Sequence, residues 1–427
     1  MEKNQIGVMR SWVLYDWANS VYSLIITSTL FPVFFSQVAR GAGQSHTVLF
    51  LGWQLQNSAL YSFAVSFSFL VAAALSPLLS AWSDMGGYRK RLLLGFCLLG
   101  SISCAGLYFF EASGLEWGMA LFCLAAVGFS GSVVFYNSFL PEIATPDRYE
   151  QLSARGFAMG YIGSVILLVC ILSPLFLPGA PADPSGIFRV GFVATGLWWL
   201  VFGTLAVSGL PAAGRINRKW AGPREVFARI TSAFRASRNI PGLFRFLGGY
   251  FFMNLGVQTI MYLAAVFGEV ELEMDSVRLI ATILILQLVA ILGSLGFARV
   301  SLRMKPRNTL VLACLLWMVV CVWAFFVRTD LAFYGVAALV GLVMGGSQSM
   351  LRSTFTHFLP PEEHGKSTLY GFFDVLDKLS TVLGTLVFGL VNQLTGSMRL
   401  SALVLSVFFL LAALLFRRQA VGSAGPG

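Results

Sequence analysis

Charge is what this chain of 427 residues has least of. Asp, Glu, Lys and Arg together make up 11% of it, against 57% hydrophobic residues. Soluble domains carry about 25% charged residues, so a water-soluble globular protein is excluded. Histidine is scarcer still: His46, His357 and His364 all lie between the apolar runs, and there is no HExxH pair. An intramembrane enzyme would need a nucleophile and base or a metal cluster, and the spans offer neither. No GxxxxGK[ST] phosphate loop occurs, which argues against ATP-driven transport. Cys97, Cys104, Cys123, Cys170, Cys314 and Cys321 fall within apolar runs and show no CxxC spacing. They read as small packing residues, and neither a metal site nor a cofactor is expected.

Long hydrophobic runs fill the space that charge leaves. Windows of about 18–25 apolar residues suit helices that cross a bilayer. Twelve are expected, over 12–38, 58–81, 92–110, 117–140, 153–176, 190–210, 243–267, 277–298, 309–327, 331–352, 367–392 and 400–416. The start, MEKNQIGVMRSW, lacks a short apolar core with a cleavage site, so the first run is expected to stay as a span. The net charge of +10 sorts by loop: of 29 Lys and Arg, all but Arg40, Arg189, Arg278, Arg328, Arg399 and Lys378 fall on one side. The positive-inside rule then places both termini in the cytoplasm.

The longest polar interruption, 210–242, follows six spans and holds seven Arg or Lys against one acid, Glu225. It divides the chain into expected domains 1–210 and 243–427, joined by a basic cytoplasmic linker at 211–242. Arg224, Arg235 and Arg238 among Val226, Phe227, Ile230 and Phe234 suit an amphipathic helix on anionic lipid. A solvated linker that simply obeys the charge rule fits equally well. The halves echo each other: SARGFAMGYIGSV (153–165) and STLYGFFDVLDKL (367–379) follow SFLPE (138–142) and HFLPPE (357–362). A duplicated six-helix unit accounts for that.

Polar residues inside the runs are the candidates for function. In the first span Asp16, Asn19, Ser20, Ser23 and Thr27 have helical spacing and form one expected polar stripe. Asn254 and Gln258 are four apart in the seventh span, as are Gln348 and Arg352 in the tenth. Interhelical hydrogen bonding would also explain such pairs. Gly341, Gly345, Ser349 and Ser353, like Gly156, Gly160 and Ser164, recur every four residues and are expected at close helix contacts.

The eleventh run, YGFFDVLDKLSTVLG (370–384), carries Asp374, Asp377 and Lys378. At about 1.5 Å per residue from a helix end near 367, Asp374 is roughly 11 Å deep and Lys378 roughly 17 Å deep. A charge there costs at least about 2.5–3.5 kcal/mol. Asp374 and Lys378 are i, i+4 with the acid first, so they pair on one face. A structural ion pair stabilises poorly compared with apolar packing, so a role in a water-filled cavity is the stronger expectation. The formal −1 makes either acid a candidate proton site and Lys378 a candidate partner for a carboxylate.

The loop LLSAWSDMGGYRKRL (78–92) resembles the major facilitator signature G-x-x-x-D-x-x-G-R-K/R, with Ser80 for the first Gly and Tyr88 displacing the basic pair to Arg89 and Lys90. YDWANSVYSLIITSTLFPVFF (15–35), NSFLPEI (137–143), YFFMNLGVQTI (250–260), GGSQSMLRS (345–353) and GLVNQLTGSMR (389–399) together resemble the vacuolar-effluxer-like branch, nearly end to end. Its eukaryotic members are autophagy-related amino-acid effluxers. The resemblance implies an acid after the Asn of the seventh span, where this chain has Leu255.

The expectation is an all-α integral membrane protein, a twelve-helix 6+6 major facilitator fold with pseudo-twofold halves. Its expected activity is secondary active or facilitative transport of a small polar solute, an amino acid or related metabolite, by alternating access. Binding candidates for solute or proton are Asp374, Asp377, Lys378, Asn19, Tyr22, Asn254, Gln258 and Gln348; gating candidates are Asp16, Asp84, Gly87, Arg89, Lys90 and Arg352. Partners are the solute, protons and the bilayer, with no nucleic acid. The expected location is a bacterial cytoplasmic membrane or an internal membrane derived from it. A carrier of an iron species, metal chelate or organic anion in a specialised internal membrane, and a transporter-like scaffold, stay open.

Overall fold

A backbone in hydrocarbon must satisfy its own hydrogen bonds, and a helix does so within one segment. The apolar runs accordingly fold as long helices in the computed structural model, which describes residues 2–41, 47–111, 114–178, 183–212, 222–359 and 366–418. The elements are α1 (Ile6–Val21), a π-helical segment (Tyr22–Leu30), α2 (Phe31–Gly41), β1 (Thr47–Phe50), β2 (Trp53–Gln56), α3 (Asn57–Gly86), α4 (Arg89–Gly106), α5 (Leu115–Ser138), α6 (Leu140–Ile143) and α7 (Tyr149–Leu172). They continue with α8 (Ser185–Ser208), α9 (Pro223–Arg238), α10 (Leu243–Leu272), α11 (Ser276–Met304), α12 (Pro306–Phe326), α13 (Asp330–Thr356), α14 (Lys366–Thr395) and α15 (Met398–Arg417). Among the described residues ten helical stretches are long and apolar enough to cross a membrane. The 30-residue helices α10 and α14 stand beside them; α14 carries the three charges noted above.

Local chemistry sets the helix ends. Gly87, at φ +69°, closes α3 in the left-handed region, where its N–H meets the Ser83 carbonyl at 2.9 Å. Asp275, Thr329 and Ser397 cap α11, α13 and α15 with their side chains. Pro223 and Pro306 open α9 and α12, where no N–H is needed. Two features were not expected from the sequence. The 47–56 stretch forms an antiparallel hairpin turned by Leu51 and Gly52, both at positive φ. The first span is not α-helical throughout: over Tyr22–Leu30 the Phe31 N–H reaches back five residues to Ile26 O. Pro32 cannot donate to the Ser28 carbonyl, and the hydroxyls of Ser28 and Thr29 bond the carbonyls of Ser23 and Leu24. The expected polar stripe is therefore interrupted: Asp16 and Asn19 are buried, whereas Ser23 is exposed.

Two compact units form. One comprises Gln5–Phe139 and Met159–Ala221. Its core is aromatic: Phe31 stacks on Phe122 at 4.2 Å between ring centroids, and Trp12 on Tyr136 at 4.5 Å. The other comprises Met1–Asn4, Leu140–Ala158 and Gly222–Gly427; residues 140–158, sequentially in the first half, thus pack with the later helices. Positions 213–221 of the expected linker lie outside the described residues. In this second unit α13 lies close to α11, since Gly341 and Gly345 face the Leu286 and Ala290 carbonyls where a Cβ would collide. Around both units large side chains such as Trp117, Leu292 and Leu331 are exposed, as a lipid-facing surface requires.

Candidate functional site

The α14 charges form one ionic network. The Lys378 ammonium lies 3.1 Å from Asp374 Oδ1 and 2.9 Å from Asp377 Oδ2. The i, i+4 spacing that the helix imposes brings Asp374 to Lys378, whereas Asp377 reaches it from the neighbouring position. The second carboxylate oxygen of Asp377 accepts from the Tyr250 hydroxyl and from Asn254 Nδ2, both at 2.9 Å. Asn254 also donates to Ser380 Oγ at 2.7 Å. Tyr250 and Asn254 share a face of α10 because they are four apart, and the Tyr250 ring rests 4.0 Å from that of Phe373. The side chain of Asp374 is 8% exposed, that of Lys378 13% and that of Asp377 23%, so Asp377 is the least buried member of the triad. Lys378 lies about 18 Å along α14 from its start at Lys366, well inside a helix of membrane length.

Of the other binding candidates, Gln258 is half-buried one turn beyond Asn254, and Gln348 is half-buried on α13. Asn19 and Tyr22 belong to the other compact unit, where both are buried; Tyr22 stacks on Phe129 at 5.0 Å. Leu255, at the position where the resemblance implies an acid, is buried against α14 at Gly384. The acid beside Asn254 comes instead from α14, as Asp377.

The gating candidates fall into three places. Asp16 is buried and accepts from the Tyr136 hydroxyl at 2.7 Å, while Trp12 donates to the Tyr136 carbonyl. At the turn between α3 and α4 the Arg89 guanidinium stands 3.6 Å from Asp84, bonds the Ser138 carbonyl at the end of α5 and covers the Phe139 ring. Gly87 supplies the reversal that lets Arg89 fold back on Asp84. Lys90 donates to the carbonyls of Ser208 and Leu210, a cation at the C-terminal end of α8. These contacts tie α3, α4, α5 and α8 together within one unit.

Arg352, 5% exposed, is held differently. Its Nε donates to Ser153 Oγ at 2.9 Å and its Nη2 to the Ser153 carbonyl at 2.7 Å, with its plane over Phe157 at 4.1 Å. One turn on, His357 Nε2 lies 2.8 Å from Glu150 Oε1. The start of α7 is thus clipped to the end of α13. Tyr250, Ser380, Ser153 and the Glu150–His357 pair were missed by sequence reasoning. Tyr250 carried a usable signal, since residues 250, 254 and 258 form one face in i, i+4 steps.

Among the described residues no three His, Cys, Asp or Glu side chains gather at metal-binding distance. The vacuole effluxer Atg22-like family matches residues 7–424 of the chain. The chain belongs to that family. It is 30% identical over 410 residues to YxiO, an uncharacterised transporter of the major facilitator type from Bacillus subtilis strain 168, covering 94% of this chain and 92% of that protein. It is 22% identical over 504 residues to autophagy-related protein 22 of Coccidioides immitis, covering 92% and 83%. Its fold is similar to the crystal structure of the human organic anion transporter MFSD10 (TETRAN), with a TM-score of 0.74, 17% identity and coverage of 97% and 100%. The protein is an integral, multi-pass, helical membrane protein with the major facilitator fold, and its family is one of transporters, not enzymes.

Proposed function

We propose that this member of the family moves an amino acid or a closely related zwitterionic metabolite by alternating access between two six-span halves. The observation that carries the reading is the Asp374–Lys378–Asp377 triad, bonded to Tyr250 and Asn254 and set mid-helix where a charge is costly. Two carboxylates already flank Lys378, so the triad as a whole is anionic and favours a ligand that brings a positive group. An amino acid's ammonium is such a group, and a proton is another. Asp377 is the better candidate to meet it, being the more exposed acid. It takes over beside Asn254 the role that Leu255 cannot fill.

The family name, which refers to vacuole effluxers, supports solute export as the class of activity. A relative from Bacillus subtilis and the basic bias of one set of loops support a bacterial cytoplasmic membrane with both termini inside. Asp16, Asp84, Arg89 and Arg352 act in this scheme at the cytoplasmic mouth, where their contacts hold the helices of each unit together as the protein alternates between states.

Counterflow in proteoliposomes tests the reading, with labelled amino acids, organic acids and iron chelates compared for wild type, Lys378→Ala and Asp374→Asn. Amino-acid exchange lost in both folded variants supports it. Exchange of organic acids or chelates alone replaces the substrate, and wild-type exchange in both variants removes the triad from the site.

A further inference from the structure

We propose that α9 is a docking face for anionic phospholipid, with a row of arginines on the headgroups and two phenylalanines in the acyl boundary. The helix turns 100° per residue, which sets three arcs of α9 side by side. Val226, Ile230 and Ser237 form the first, of which Val226 and Ser237 are buried and Ile230 half-buried; this arc faces the protein. Phe227 and Phe234, seven apart, form the second, and they remain 60% and 40% exposed. Arg224, Arg235 and Arg238 form the third, immediately beside the phenylalanines, and all three are exposed. The one acid, Glu225, lies away from the phenylalanine edge, on the face that also carries Arg229.

Phe234 fixes the tilt of the helix, since its ring meets Phe244 of α10 edge-on at 6.2 Å and Phe372 of α14 at 5.9 Å. The Arg238 guanidinium sits 5.1 Å from the same ring, which couples the cation to the aromatic edge. Arg245, exposed at the start of α10, donates to the Arg418 carbonyl at 3.1 Å, and Arg417 and Arg418 are exposed too. The basic surface therefore continues from α9 onto the ends of α10 and α15. Solvent-exposed phenylalanine beside arginine is costly in water and favourable at an interface, where the ring enters the acyl boundary and the guanidinium binds phosphate. Charge complementarity selects anionic over zwitterionic lipid.

Hydrogen–deuterium exchange of the full protein in nanodiscs tests this, with phosphatidylcholine alone compared with phosphatidylcholine containing about 30% phosphatidylglycerol, whose headgroups carry the negative charge that basic segments bind. Backbone exchange across Pro223–Arg238 is expected to slow by on the order of tenfold in the anionic discs and to lose that slowing at high salt. The Arg224→Gln/Arg235→Gln/Arg238→Gln variant is expected to exchange alike in both. Arg224→Gln alone, at an exposed position, is expected to lose part of the effect, and Phe227→Ser to exchange faster in anionic discs. Equal exchange of wild type in both lipids overturns the proposal, as does a lipid effect that survives in the triple variant. Unchanged exchange in α10 and α14 establishes that each variant is folded.

Discussion

Removing the ammonium of Lys378 separates a binding role from a packing role. Two carboxylates stand 3.1 and 2.9 Å from it. At an effective dielectric near 20 each contact is worth about 5 kcal/mol of Coulomb attraction. Repulsion between the two acids and several kcal/mol of desolvation for the ammonium oppose it. Breaking such a buried pair from one side costs about 3–5 kcal/mol, because the partners remain charged and uncompensated. Lys378→Met should therefore lose about that much, read as urea unfolding followed by tryptophan fluorescence in detergent micelles. Asp374→Asn/Asp377→Asn/Lys378→Met removes all three charges and keeps an acceptor for Tyr250. It should return to within about 2 kcal/mol of wild type, yet exchange no solute in proteoliposomes. A loss below about 1 kcal/mol in Lys378→Met would mean that water screens the triad. Wild-type exchange in the neutral variant would refute the reasoning outright.

Arg352→Lys keeps the charge but not the pair of bonds to Ser153 or the planar contact on Phe157; it should cost about 1.5–3 kcal/mol by the same unfolding assay. Gly341→Leu should cost at least about 1–3 kcal/mol by driving α13 from the Leu286 carbonyl of α11. Gly296→Ala, where a Cβ meets open space, should be neutral or stabilise by up to about 1 kcal/mol. Gly87→Ala forces a Cβ into the left-handed region at φ +69° and should cost about 1–2 kcal/mol, checked by melting temperature.

Much of this molecule was determined by one-dimensional properties. Apolar length fixes which segments cross a bilayer, because the cost of exposing a backbone in hydrocarbon leaves helices as the single-segment solution. The Asp374–Lys378 pair was legible for the same reason, being four residues apart on one helix. The π-helical turn at Tyr22–Leu30 was not, because a 3.6-residue period presumes the register that Pro32 disrupts. Nor were the groups that complete the network. Asn254 meets Asp377 across 123 residues, and Arg352 meets Ser153 across 199. No local period encodes which helices become neighbours. That choice rests on close packing at surfaces such as Gly341 and Gly345 against α11, and tertiary structure alone decided that Tyr250 and Asn254 would hold the carboxylate of α14.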